Sequence, residues 1–392
     1  MKIDLLDKNQ NYNILLAGIL SIVIGIGIAR FAFTSLLPSM LEDFLSIKDT
    51  GVLASINFTG YLLGAFLSIF IKDINTKVKL FRLGIFLSVV TTMVLALTTN
   101  ETLWFLSRIV AGFGSAMSLI VGSAIVMTKL SYSDKTKAMG IHFSGIGFGI
   151  VISELLTQYV LIDGTWSDAW MALAVFAFFS GIYCAHILSF DKEQRTDAIK
   201  HKVSKDMFTP YVKLLILAYF TAGVGFVVQA TFFPDIINSL PGLDGYGNLG
   251  WLIVGLAGIP SAIIWMRLAQ KYGSVNMIII AFFLQIIGIL IPAFTNDVAL
   301  NILSGALYGS TFIGHVALFM HHGGHLAGKN PVVFMGAMTA AYGIGQVSAP
   351  LYSVSLFQIY GNYDAILYLT AFIVSFGIVF LLIAKKFTVN KR

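Results

Sequence analysis

Gly27-Ile-Ala-Arg30-Phe-Ala-Phe-Thr34-Ser35-Leu-Leu-Pro38 and Gly223-Val-Gly-Phe226-Val-Val-Gln229-Ala-Thr231-Phe-Phe-Pro234 stand 196 residues apart, and the glycine, the small hydroxyl residue and the proline keep that one offset. Met139-Gly140, Gly147, Gly149, Val151 and Leu155 fall at the same offset on Met335-Gly336, Gly343, Gly345, Val347 and Leu351. At offset 197, Leu103, Leu106, Ser107 and Gly112 fall on Leu300, Leu303, Ser304 and Gly309. Agreement in three separate segments of a 392-residue chain marks an internal repeat of half its length. Parallel repeats of membrane helices are expected to place a solute site near the bilayer midplane, at the repeat interface, reached alternately from either side.

Hydrophobic residues make up 57% of the chain and charged residues 11%, and the mean hydropathy is +0.85. Soluble domains carry about 25% charged residues, so a soluble enzyme is excluded. Apolar stretches of the roughly 20 residues needed to cross a ~30 Å hydrocarbon core occur at 13–37, 51–71, 80–97, 103–128, 139–160, 166–190, 211–233, 249–268, 275–294, 298–320, 331–358 and 365–384. The expectation is an all-α membrane protein with 12 transmembrane helices in two pseudo-symmetric six-helix bundles, residues 1–190 and 211–392, joined by a cytoplasmic linker at 191–210. The first span follows a polar leader with Asp4, Asp7 and Lys8, is too long for a signal segment, and lacks a small-residue cleavage site, so it is expected to stay as helix one. The single cysteine, Cys184, excludes an intramolecular disulfide framework.

Charge placement supplies the orientation, because Lys and Arg are retained on the cytoplasmic side. With both termini inside, 22 of the 25 basic residues fall in inner segments, only Lys48 lies outside, and Arg30 and Arg108 lie within spans. The pI of about 9.2 therefore reports topology rather than a nucleic-acid surface. A multi-pass protein of the bacterial inner or plasma membrane is expected.

Twelve spans in a 6+6 repeat with a central cytoplasmic loop resemble the major facilitator superfamily. The stretch from Gly25 to Pro38, together with Ala340-Ala-Tyr342-Gly343-Ile-Gly345-Gln346 to Pro350, is similar to its YbfB/YjiJ-type branch. The basic loop of that superfamily after helix two survives only as Lys72-Asp73 and Lys77, and Gln270 stands where the second-half loop has an acid. The resemblance therefore does not carry the family's inner-gate salt bridges to this chain. Arg108-Ile-Val-Ala-Gly112 is similar to the family's Arg-x-x-x-Gly motif, which implies proton coupling. Gly140, Gly145, Gly147 and Gly149 resemble the glycine-rich motif of antiporters without its proline; close helix packing through small residues is the alternative.

A charge in a transmembrane segment is costly and faces a cavity or a partner. Arg30, Arg108 and Glu154 lie within spans, roughly 12, 8 and 10 Å below the outer ends of helices one, four and five at ~1.5 Å per residue. They occupy one layer, either as a cavity-facing functional cluster or as a fixed pair pinning helix four to helix five with the second arginine snorkelling outward. Glu154 and Arg108 are the proton-coupling candidates, and Arg30 the substrate contact. The equivalent second-half positions, Phe226, Gly305 and Pro350, are not ionisable. That half offers Gln229, His315 and Gln346 for hydrogen bonding to substrate, with Asn57, Tyr61, Tyr308 and Tyr342 as weaker lining candidates for which packing is the alternative.

His315 falls about one and a half turns from the inner end of helix ten, as a titrating group or a neutral helix-to-helix contact. His321-His322-Gly-Gly-His325 is read as a short inner loop; its consecutive glycines argue against an i,i+4 ligand pair, so no metal site is expected. His142 and His186 are expected to face water or headgroups. No phosphate loop, hydrolase constellation or nucleotide-fold strand pattern is present.

The function expected is secondary transport of a small organic solute by alternating access, driven by the proton gradient, without a cofactor or nucleic acid, by a monomer in the lipid bilayer. Proton-coupled export is the first reading, uptake of an organic anion by proton symport the second, and a transporter-like solute receptor the third.

Overall fold

The computed structural model describes residues 2–71, 73–130, 135–189, 209–326 and 331–389. Among them there is no strand, and eleven helices are long and apolar enough to cross a membrane. Hydrocarbon offers no water to backbone N–H and C=O groups, so an apolar chain of this composition satisfies them within helices. In chain order the helices are α1 (Gln10–Leu41), α2 (Ile47–Phe70), α3 (Ile74–Leu97), α4 (Glu101–Lys129), α5 (Ala138–Leu161) and α6 (Trp166–Ile187). They continue with α7 (Pro210–Asn238), α8 (Tyr246–Tyr272), α9 (Ser274–Phe294) and α10 (Val298–Leu326). A further thirty-residue helix, α11 (Pro331–Tyr360), precedes α12 (Asp364–Val389). Large apolar side chains such as Leu63, Phe66, Phe70, Phe86 and Phe179 point outward and are exposed, a surface that lipid, not water, solvates.

Local chemistry sets the helix ends. Asn100 accepts from the Leu103 amide at 3.1 Å at the start of α4, Thr165 and Asp168 form a reciprocal capping box at the start of α6, and Thr209 caps α7 ahead of Pro210 in its first turn. Asp73 starts α3 by accepting from the Thr76 amide at 2.7 Å and its hydroxyl at 2.9 Å. Those bonds to the charged form hold its carboxyl below the ordinary value of 3.8. Gly245 and Gly273, at φ +80 and +86, make the turns before and after α8, where a side chain would be strained. The linker expected at 191–210 lies outside the described residues apart from Thr209 and Pro210.

By density of internal contacts the chain divides into two units, Met1–Phe44 with Thr59–Ala198, and Leu45–Phe58 with Ile199–Arg392. In the first, α1 packs on α5 and α6, and α3 on α4 and α6. In the second, α7 packs on α11 and α12, and α9 on α10 and α12. These pairings are the same with six helices added to each number, the physical counterpart of the sequence repeat. The start of α2 is held within the second unit, where the Ser55 hydroxyl donates to the Val347 carbonyl at 3.1 Å.

Two histidine expectations are corrected. The segment His321-His322-Gly-Gly is not a loop: α10 runs through it to Leu326, because a glycine penalty of about 1 kcal/mol each does not outweigh the cost of leaving backbone groups unbonded near hydrocarbon. His322 bonds the Tyr211 hydroxyl at 2.5 Å, and His315 consequently lies eleven residues inside the helix rather than one and a half turns. His142 does not face water; it is fully buried, with Nε2 2.8 Å from the Ser123 hydroxyl, in a space that the absent side chain of Gly18 leaves open. His186 is exposed, as expected.

Candidate functional site

Three helices of the first unit set the depth of its buried charges. A Cβ placed on Gly18 would meet His142, one on Gly145 would meet Ile19 and Ile22, and one on Gly149 would meet Gly27 and Val23. Rising numbers on α5 therefore meet rising numbers on α1, so the two helices run parallel, backbone against backbone. From that register Glu154 lies five residues beyond Gly149 and Arg30 three beyond Gly27. At ~1.5 Å per residue the two side chains leave their helices within about 3 Å in depth.

Helix α4 runs the other way along α1. The Ser115 hydroxyl donates to the Gly25 carbonyl at 2.5 Å and the Arg108 guanidinium to the Ala29 carbonyl at 3.1 Å. Arg108 thus comes to the same level as Arg30, close enough for the two charges to act on one another. Arg30, Arg108 and Glu154 therefore leave their helices at similar depths, with side chains 7%, 2% and 1% exposed. Arg30 lies over the Tyr61 ring at 4.4 Å and Arg108 over the Phe33 ring at 4.5 Å, contacts in which the ring face offsets part of the lost hydration.

Both arginine-bearing helices depart from α geometry. Val23–Phe31 of α1 and Met117–Val121 of α4 wind as π-helix, a rare form concentrated at functional sites. The hydroxyls of Ser118, which packs at Gly25, and of Thr157 are buried without a hydrogen-bond partner among the described residues. Serine and threonine in helices ordinarily bond back to the preceding turn, so these two are donors and acceptors left open. Thr157 is three residues beyond Glu154, on the same face of α5. Neither hydroxyl stands out in the sequence, where each is one of many small polar residues.

In the second unit, the neutral polar candidates are all buried. The Gln229 amide donates to the Gly288 carbonyl at 3.3 Å, while its Oε1 has no partner among the described residues. Tyr342 and Gln346 share a face of α11, four residues apart. His315 packs on Phe282 at 4.3 Å between ring centres, and neither ring nitrogen has a partner in hydrogen-bonding geometry among the described residues. Asn57 is fully buried on α2.

The sequence reading missed two features here. Gln285 is fully buried on α9 with neither end of its amide bonded among the described residues; an amide in a helix otherwise almost wholly apolar was the available signal. The second is a series of rings. Phe233 stacks on Tyr308, Tyr308 on Phe312, Phe226 on Tyr342 and Tyr342 on Tyr219, and Phe312 lies 5.2 Å from Phe226. Tyr219 continues to Phe319 and thence to Phe282 and His315. Tyr219, Phe226 and Phe233 recur every seven residues on α7, and Tyr308, Phe312, His315 and Phe319 follow a 4-3-4 spacing on α10, so each set forms one stripe. Phe226 occupies the repeat position of Arg30, and an aromatic series replaces the charged layer.

Helices long and apolar enough to cross a bilayer, with ionisable groups buried at one depth within them, suit a membrane transporter. Residues 22–382 match the family described as "Uncharacterised MFS-type transporter YbfB", and the chain belongs to that family of the major facilitator superfamily. The uncharacterized transporter BU588 of Buchnera aphidicola subsp. Acyrthosiphon pisum (strain APS) is 23% identical over 270 residues, covering 67% of this chain and 65% of that protein. The vesicular acetylcholine transporter of Torpedo torpedo is 25% identical over 271 residues, covering 66% of this chain and 51% of that protein. The matches thus span less than two thirds of each relative.

Proposed function

We propose that this protein is a proton-coupled secondary transporter that moves a small organic solute by alternating access. The observation that carries the reading is the common depth of Arg30, Arg108 and Glu154 in the first unit. Burial raises the energy of a carboxylate and a neighbouring guanidinium lowers it; a conformational cycle that changes that neighbourhood lets Glu154 take up a proton on one side and release it on the other. Arg30 is assigned to the substrate and Arg108 to holding the charge balance, with Gln229, Asn57, His315, Tyr342 and Gln346 as neutral substrate-facing groups. Pro331–Tyr360 serves as the twelfth span, residues 1–190 and 211–392 act as two six-helix bundles, and both termini lie in the cytoplasm of a bacterial inner or plasma membrane. The working unit is a monomer without a cofactor.

Export by antiport is the direction proposed, on the glycine run of α5, which brings α5 into backbone contact with α1. Uptake of an organic anion is the second reading, favoured by two arginines against one acid in the layer. Solute flux into and out of vesicles containing the purified protein tests the proposal. Flux driven by an imposed pH gradient is expected, its sign separates the two directions, and saturable binding without flux would make the protein a receptor instead.

A further inference from the structure

A lateral trough of about 840 Å³ lies within the second unit among α8, α9, α10 and α12. Its walls are apolar side chains, among them Ile264, Leu268, Ile280, Leu284 and Leu382. Its polar floor is already satisfied, since the Ser261 hydroxyl and the Trp265 indole both donate to the Ser310 carbonyl, at 2.6 and 2.7 Å. Ala257 and Tyr272 both line it, which gives a length of about 22 Å along α8 at ~1.5 Å per residue. That exceeds half of a ~30 Å hydrocarbon core, the depth of one acyl chain in one leaflet.

One end of the trough is basic. Lys385 lines it together with Tyr272 and Asn276 and donates to the Asn276 side chain. Lys271 lies over the Tyr272 ring at 4.9 Å, and Lys386 and Arg267 are exposed at the same end of their helices. Among the described residues of this unit the carboxylates are Asp49, Asp235, Asp244, Asp297 and Asp364, and all five belong to the opposite helix ends.

We propose that this trough is a binding site for an anionic glycerophospholipid, whose acyl chain lies along α8 and α9 and whose phosphate is held by Lys385 and Lys271. Basic groups at the mouth of a cleft between membrane helices are the recognised chemistry for such headgroups. The site is remote in chemistry and residues from the charged layer, so it stands whatever solute the transporter carries.

Native mass spectrometry of the purified full chain, offered phosphatidylglycerol and phosphatidylcholine of identical acyl chains, tests it. The wild-type protein should retain phosphatidylglycerol by roughly twenty-five-fold over phosphatidylcholine, two lysines at an anionic group each contributing about fivefold. Lys271→Gln/Lys385→Gln should abolish that preference, Lys213→Gln should leave it intact, and Ile264→Trp should reduce retention of both lipids by filling the trough. Because Lys385 also bonds Asn276, Lys271→Gln/Lys386→Gln provides a second pair that leaves this contact in place and should weaken the preference. Equal retention of the two lipids by the wild-type protein would overturn the proposal. So would a preference that persists in both lysine pairs, one lost equally in Lys213→Gln, or full displacement of phosphatidylglycerol by glycerol phosphate, which would mark a site for free phosphate.

Discussion

Gly27 and Gly149 meet backbone to backbone: a Cβ on Gly27 would lie 2.5 Å from the Gly149 Cα, and one on Gly149 would lie 2.8 Å from the Gly27 Cα. This contact fixes the register of α1 against α5, and the register brings Arg30 level with Glu154. Neither approach is relieved by rotating a flexible side chain, since both partners are main chain.

Gly27→Ala should therefore destabilise by about 1–3 kcal/mol, the usual range for overpacking, and Gly27→Val by more. Thermal unfolding in detergent measures the loss. A Gly27→Val protein as stable as the wild type would show that α1 and α5 do not pack at this register.

Arg30 should not tolerate lysine. A planar five-donor guanidinium can lie on the Tyr61 ring and still present donors to an anion, which a single ammonium cannot reproduce. Arg30→Lys should fold and lose most of its substrate affinity, read as a raised half-saturation concentration for uptake or exchange. Near-normal affinity in both Arg30→Lys and Arg30→Ala would assign the residue to structure.

Thr157 and Ser118 separate a ligand-facing polar surface from a buried defect. A buried hydroxyl without a partner costs about 1–3 kcal/mol, so Thr157→Val and Ser118→Ala should leave the melting temperature unchanged or raised. If the open hydroxyls serve substrate or proton, the same variants should transport more slowly. Unchanged flux would show that they serve neither.

The orientation rests on charge placement and is tested by labelling from outside intact cells. A cysteine replacing Asp244 should react with an impermeant reagent and one replacing Lys200 should not. The native Cys184 is buried and contributes little background. Reaction at both positions would contradict the twelve-span topology.

Much of the fold is legible because two elementary signals coincide: apolar runs of bilayer length and a half-chain repeat. The depth of Arg30, Arg108 and Glu154 was readable too, since rise per residue converts sequence position into depth once spans are known. What the sequence did not disclose depends on lateral neighbours. His142 looked interfacial because it stands near a helix end, yet Gly18 and Ser123, distant in sequence, enclose it. The His321-His322-Gly-Gly segment looked like a loop because glycine is judged against helices in water. The stripes of Tyr219, Phe226 and Phe233 and of Tyr308, Phe312, His315 and Phe319 were visible as spacings, but their union through Tyr342 is a tertiary fact. Gln285 carries no charge, yet an amide buried without a hydrogen-bond partner among the described residues is also a polar group at a cost.

The central claim is that Glu154 carries the coupling proton, and Glu154→Gln tests it most directly because glutamine mimics the protonated acid in size and shape. Solute accumulation driven by a pH gradient should be measured beside solute counterflow without a gradient, in vesicles containing the folded variant. Gradient-driven accumulation should be lost while counterflow persists, since exchange needs the conformational cycle but not the titrating group. Accumulation at the wild-type level would contradict the account and leave Glu154 as a static partner of the arginines.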